Sequence, residues 1–243
     1  MIISNQHKYV FVELPRTGSS TVSRELRLHY AGTRILRKHS TYQEFLKVAS
    51  EEEKKYFVFT CVRNPLDDAV SHYFKIKTDH HKKFKDGEKA KDGDRKRLAD
   101  KMNAFLFGQI SEKNMDFPTF FRKFHVVSYN TWASMSIGRY DYVMRFENLQ
   151  DDFATVLKLL GLEPIRPLPY LNVTSERKRD FWTYYTPEII PRARRIFGPY
   201  MKQWGYEFPA EWGDRSVPWW NQLEFDIFNI FRRLYWSLLR PKI

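Results

Sequence analysis

Two stretches of this chain share one pattern: a short apolar run breaks into a polar turn and then into helical spacing. Tyr9 to Leu14 (YVFVEL) is rich in β-formers and enters Pro15-Arg16-Thr17-Gly18-Ser19-Ser20-Thr21, after which Val22, Leu26 and Tyr30 recur on one helical face. Tyr56 to Val62 (YFVFTCV) repeats the arrangement, passing through Arg63 into Asn64-Pro65 and a helix to about Lys75. A continuous apolar run suits a strand buried on both faces. Asn is a good N-cap and Pro a good first helical residue. Asp141 to Phe146 (DYVMRF) reads as a third buried strand. Strands alternating with helices imply an α/β fold, a three-layer α/β/α sandwich around a mainly parallel central sheet.

Further helices are expected over Leu98 to Ile110, Phe117 to Phe124 and Asp151 to Leu160, the last stopped by Gly161. Another starts at Thr186-Pro187-Glu188. Ser40 or Thr41 opens a short helix with Phe45 and Leu46 facing inward. The chain has 243 residues, enough for a full core. Residues 1–210 are expected to form one α/β domain. Within it, residues 80–97 hold eight Lys and Arg against four Asp and Glu, with one large apolar residue, and read as an exposed, mobile basic insertion. Residues 211–243 form a C-terminal extension, whose stretch Asn221 to Arg240 is aromatic, basic and helical. That helix completes the core or an oligomer contact; the alternative is peripheral contact with an anionic membrane.

The single cysteine, Cys61, excludes an intrachain disulfide and a multi-cysteine zinc site. The first residues show no charged-then-apolar signal pattern, and no run reaches the ~18 apolar residues of a membrane helix. A cytoplasmic location is the simplest expectation, which leaves the sequon Asn172-Val173-Thr174 unused. The net charge of +12 favours anionic partners without saying which.

A strand that ends in a Gly/Ser/Thr loop and opens a helix offers an anion backbone N–H groups and the positive end of the helix dipole. Gly18 allows close backbone approach. Ser19, Ser20 and Thr21 can cap the helix and add hydroxyl donors, and Arg16 adds a forked cation. An ordinary capped turn would look the same. The loop lacks the first glycine and the lysine of G-x-x-x-x-G-K-[ST], so ATP or GTP hydrolysis fits poorly. The second anion element is Arg63 with Ser71, which lies six residues after Pro65, roughly 9 Å along the helix. The pair is suited to grip one phosphate; a surface ion pair of Arg63 with Asp67 or Asp68 is the plainer reading.

Taken together, these residues resemble the sulfotransferases that use PAPS (3′-phosphoadenosine 5′-phosphosulfate), in particular the carbohydrate O-sulfotransferase-like group. In that family a P-[KR]-[TS]-x-[ST] turn binds the 5′-phosphosulfate, and V-R-N-P-x(5)-S-x-Y holds the 3′-phosphate. Here these read Pro15 to Thr21, and Val62 through Ser71 and Tyr73. Tyr142 to Leu149, Leu168 to Asn172 and Trp204 to Glu207 resemble later segments, so the likeness covers residues 9–75 and 140–208. It implies a P-loop-like nucleotide-binding topology and binding of PAPS by Arg16, Thr17, Gly18, Ser19, Ser20, Thr21, Arg63 and Ser71. Ser175 or Arg177 would reach the 3′-phosphate. Many members carry lysine where Arg16 stands; the guanidinium keeps the charge but gives up no proton.

The reaction implied is transfer of a sulfuryl group from PAPS to an acceptor hydroxyl, most readily of a carbohydrate, releasing PAP, the nucleotide 3′,5′-bisphosphate. No metal is needed for it and no specific nucleic acid is expected. Arg16 would stabilise charge at the leaving phosphate. His39, in Lys38-His39-Ser40-Thr41, is the first candidate for a general base, a role worth about 10²–10⁴-fold; Glu13 is a weaker one. A surface histidine beside Lys38 would leave the same trace. Two rival readings stand beside this one: an ATP-dependent kinase on a related fold, and a non-enzymatic binder of polyanions.

Overall fold

The computed structural model describes residues 1–80, 84, 94–131, 140–169, 180–213 and 216–239, without the side chains of 94–100 and 236–239. Most of the basic insertion at 80–97 lies outside the described residues, as do Ser175 and Arg177. The chain divides into two compact units. One comprises 1–64, 130–172 and 223–243, the other 65–129 and 173–222.

The first unit is built on a five-stranded sheet in the order β3-β1-β2-β4-β5. Its strands are β1 (Ile2–Ser4), β2 (Tyr9–Val12), β3 (Thr33–Arg34), β4 (Phe57–Val62) and β5 (Tyr142–Arg145). The three apolar runs become β2, β4 and β5, all parallel, with Phe11 beside Phe59 and Cys61 beside Met144. The expectation of a mainly parallel sheet holds for this half. The other half is antiparallel, because β1 pairs with β2 through a tight turn and β3 closes the far edge.

Successive residues of a strand point to opposite faces. Tyr9, Phe11, Phe59, Cys61 and Met144 face the helices α1 (Ser19–His29) and α6 (Leu149–Leu159). Val22 and Leu26 of α1 and Phe153, Val156 and Leu157 of α6 fill that layer, with Tyr30 edge-on to Phe153 at 6.0 Å. Val10, Val12, Val58 and Val62, on the other face, are equally buried. This two-sided burial is why the strands read as unbroken apolar runs. After α6, Gly161 turns left-handed at φ 70°, and Leu162 N–H reaches back to the Leu157 carbonyl. A β-carbon there would cost energy, so the predicted stop is set by backbone geometry.

α2 (Tyr42–Val48) starts at Thr41 with a reciprocal capping box to Glu44. Phe45 is buried as expected, but Leu46 is 38% exposed. A seven-residue helix presents one narrow inward stripe, and Tyr42 and Phe45 occupy it.

The second unit is helical. It holds α3 (Pro65–Lys77), α4 (Asp94–Phe107), α5 (Phe117–Phe124) and α7 (Ile190–Trp204). Its core is aromatic, with Tyr73, Phe117, Phe120, Phe121, Tyr185 and Phe197 together. Tyr185 is fully enclosed and donates to the Leu66 carbonyl, while burial pushes its phenol well above the ordinary range. Thr186-Pro187-Glu188 forms a turn, and the regular helix begins at Ile190. The C-terminal helix α8 (Trp219–Leu239) runs from the last residues of this unit into the first.

Candidate active site

Parallel pairing gives β2, β4 and β5 a common carboxyl edge, and three loops leave from it. In open α/β sheets this edge is where ligands bind. After β2 comes the loop from Glu13 to Gly18; after β4 comes Arg63; after β5 come Phe146 and Glu147.

The first loop is shaped by two left-handed residues, Arg16 at φ 63° and Gly18 at φ 76°. Thr17 Oγ1 and Ser19 Oγ both donate to the Leu14 carbonyl, at 3.0 and 2.7 Å, and draw the loop around it. Cys61 Sγ donates to the Thr17 carbonyl at 3.0 Å from beneath. The expectation that Ser19, Ser20 or Thr21 caps α1 is not met. Gly18 occupies the N-cap, with no side-chain cap among the described residues. Ser19 has spent its proton on Leu14, and its oxygen is already inside the first turn. An uncapped helix start presents first-turn backbone N–H groups that lack intrahelical partners. Thr21 is buried, Ser20 half-buried and Arg16 exposed.

Arg63, directly after β4, joins that strand to this loop. It is 7% exposed, its NH1 donates to the Arg16 carbonyl at 3.2 Å, and its guanidinium lies 4.2 Å over the Phe146 ring. The ring and the carbonyl together fix the plane of the cation. Glu147 accepts the Asn64 N–H at 2.8 Å and holds the backbone just after Arg63. Gly18 completes the packing, because a β-carbon there would sit 2.9 Å from Leu149 Cδ2 and 3.1 Å from Phe146 Cδ2. The turns near positions 16 and 63 are thus in direct contact.

His39 also reaches this edge. It takes a left-handed φ of 63° in the turn closed by Ser40 N–H to the Arg37 carbonyl. Its Nδ1 lies 2.9 Å from the Glu13 carbonyl. A carbonyl only accepts, so Nδ1 carries the proton and the neutral ring has its lone pair on Nε2. Burial is the main cause holding the imidazole below its ordinary value of 6.5; the Glu13 carbonyl opposes this and Lys38 adds to it. Lys38, on the same turn, donates to Ser20 Oγ at 2.7 Å. Glu13 itself is fully buried.

Ser71 lies on α3, in the second unit, and is 2% exposed. Tyr73 of the same motif is a core residue whose hydroxyl donates to the Met115 carbonyl at 2.7 Å. The sequence reading did not name Lys38 or Phe146 as site residues. Lys38 stands next to His39, and Phe146 ends the third apolar run, but neither position signals its long-range contact. Among the described residues, no group of three or more His, Cys, Asp and Glu is placed to hold a metal ion, and no helix is long and apolar enough to cross a membrane.

A family model described as "Sulfotransferase family" matches residues 1–199. The chain belongs to the sulfotransferase family. The match takes in the whole of the carboxyl-edge loops and both motifs, so the family supplies a transferase enzyme that moves sulfuryl groups. No curated protein and no solved structure matches the chain.

Proposed function

We propose that this sulfotransferase takes its sulfuryl group from PAPS and passes it to an acceptor hydroxyl, with a carbohydrate as the favoured acceptor class. The observation that carries the reading is the hydrogen bond from Arg63 to the Arg16 carbonyl. It joins two anion-suited turns at one sheet edge, which suits a nucleotide charged at both its 3′ and 5′ positions better than one phosphorylated at the 5′ position alone.

In this reading the 5′-phosphosulfate lies on the loop from Arg16 to Thr21, against the uncapped start of α1. Backbone N–H groups and the Arg16 guanidinium stabilise charge growing on the leaving phosphate. The 3′-phosphate lies toward Arg63, with Ser71, Ser175 and Arg177 assigned to it by motif alone. Lys38, hydrogen-bonded to Ser20, supplies an ammonium beside the same loop, a group able to give up a proton as the Arg16 guanidinium is not. His39 Nε2 takes the hydroxyl proton as the acceptor oxygen attacks sulfur. The bond from sulfur to the 5′-phosphate oxygen breaks, and PAP leaves with that electron pair. The protein contributes positioning and charge stabilisation, as in phosphoryl transfer.

Transfer of labelled sulfate from PAPS across a panel of glycan, lipid, peptide and small-alcohol hydroxyls tests this directly. Labelled product with a glycan supports the full reading. Label confined to another hydroxyl class replaces the acceptor, and phosphate transfer from ATP instead would establish the kinase alternative.

A further inference from the structure

The helix α8 carries an apolar stripe that faces away from its own unit. Leu223, Ile227, Ile230 and Leu234 follow one another at intervals of four, three and four residues. They are 51%, 45%, 57% and 53% exposed, and Phe231 and Tyr235 beside them are exposed as well. The opposite face is the docked one. Phe225 and Asn229 are buried, and Asn229 Oδ1 accepts from Asn130 Nδ2 at 3.1 Å and from Arg232 NH1 at 3.0 Å. Exposed apolar surface gathered in one stripe marks an interaction site.

Alternating steps of four and three place side chains every 3.5 residues on average, the period of a seam between paired helices. In heptad terms Leu223 and Ile230 are d positions and Ile227 and Leu234 are a positions. Asp226 and Arg233 are then both g positions, and Glu224 is an e position. Charge at these flanks separates the possible occupants. The flanks carry Asp226 and Arg233 on one side of the stripe and Glu224 on the other, not the row of Lys and Arg that an anionic membrane selects. Parallel pairing sets g against e, and so Asp226 against Phe231. Antiparallel pairing of two copies sets g against g. With Ile227 layered on Ile230 and Leu223 on Leu234, Asp226 of each copy falls opposite Arg233 of the other, twice by symmetry. Both residues are exposed.

We propose that α8 is a self-association surface on which a second copy of this chain docks its own α8 antiparallel. The pairing is isologous, so it closes as a dimer. It covers a helix about 30 Å long. Its apolar layers supply affinity, and the Asp226–Arg233 pairs set direction and register.

Sedimentation equilibrium of the full chain tests this, with thermal unfolding of each variant as the check on folding. The wild type should sediment as a dimer in the micromolar range. Ile230→Glu should weaken the dimer at least about a hundredfold by placing a carboxylate in an apolar layer. Arg233→Asp should weaken it about tenfold, because two acidic contacts replace two attractive ones. Asp226→Arg combined with Arg233→Asp should return the wild-type value. A wild-type monomer throughout the micromolar range overturns the proposal, whether or not it floats with phosphatidylserine vesicles. So does a dimer that neither Ile230→Glu nor Arg233→Asp weakens.

Discussion

Substituting Gly18 by alanine separates backbone strain from packing at the site, because Gly161 provides a matched control. Both glycines are left-handed, at φ 76° and φ 70°. The β-carbon of an alanine at 161 would meet nothing within 4 Å. Gly161→Ala should therefore cost the left-handed penalty alone, about 1 kcal/mol, the low end of the range for an L-residue. At position 18 the same penalty is joined by contacts at 2.9 Å to Leu149 Cδ2 and 3.1 Å to Phe146 Cδ2. Both are side-chain atoms able to shift, so the added strain is that of mild overpacking, about 1–2 kcal/mol, for a total of about 2–3 kcal/mol. The shift falls on the ring that supports Arg63, so Gly18→Ala should also weaken binding of PAP, about tenfold, whereas Gly161→Ala should leave it unchanged. Urea unfolding gives the stabilities and calorimetry the affinities. Equal destabilisation by the two substitutions, with PAP affinity intact in both, would refute the claim that Gly18 sets the packing of the Arg63 site.

Three more outcomes follow from the same geometry. His39→Ala should keep PAP affinity and lose about 10²–10⁴-fold in turnover. Because burial holds the imidazole below 6.5, the neutral base should persist into mild acid, and the acid limb of the wild-type pH–rate profile should lie below pH 6.5; a limb above 6.5 contradicts this. Cys61 is fully enclosed, and burial pushes its thiol well above the ordinary value, so Ellman's reagent should find no reactive thiol in the native protein and one after unfolding in urea. Thr41→Ala removes one half of a reciprocal capping box and should cost about 1 kcal/mol by urea unfolding.

The parts of this molecule that the sequence exposed are those whose signal is local. The runs at 9–14 and 56–62 are largely apolar because β2 and β4 are covered on both faces, while 141–146 was legible from Tyr142, Val143 and Met144 although only Met144 of β5 is fully buried. Gly161 and the Ser40-Thr41 start mark helix ends through their own backbone and side-chain chemistry, Thr41 being the residue that caps. β1 and β3 left no such trace. With three and two residues they carry no readable period, and it is pairing, of β1 with the adjacent β2 and of β3 with β1 across the intervening α1, that makes them strands. The same contrast runs through the site. The loop at 15–21 and Arg63 stood out because each follows a strand and opens a helix. The stack of Arg63 on Phe146 and the bond from Lys38 to Ser20 join positions that are 83 and 18 residues apart, where no spacing rule connects them. The expected cap on α1 failed for a related reason, since the Ser19 hydroxyl found the Leu14 carbonyl instead.

The central claim is that the turns near Arg16 and Arg63 hold the two phosphate-bearing ends of one adenosine carrier. Calorimetric titration with PAP and, separately, with adenosine 5′-phosphate addresses it most directly. The account predicts micromolar-range binding of PAP and at least about tenfold weaker binding of the nucleotide lacking the 3′-phosphate, with Arg63→Ala removing most of that difference. Equal affinities for the two nucleotides, or an Arg63→Ala variant that binds PAP as the wild type does, would contradict it.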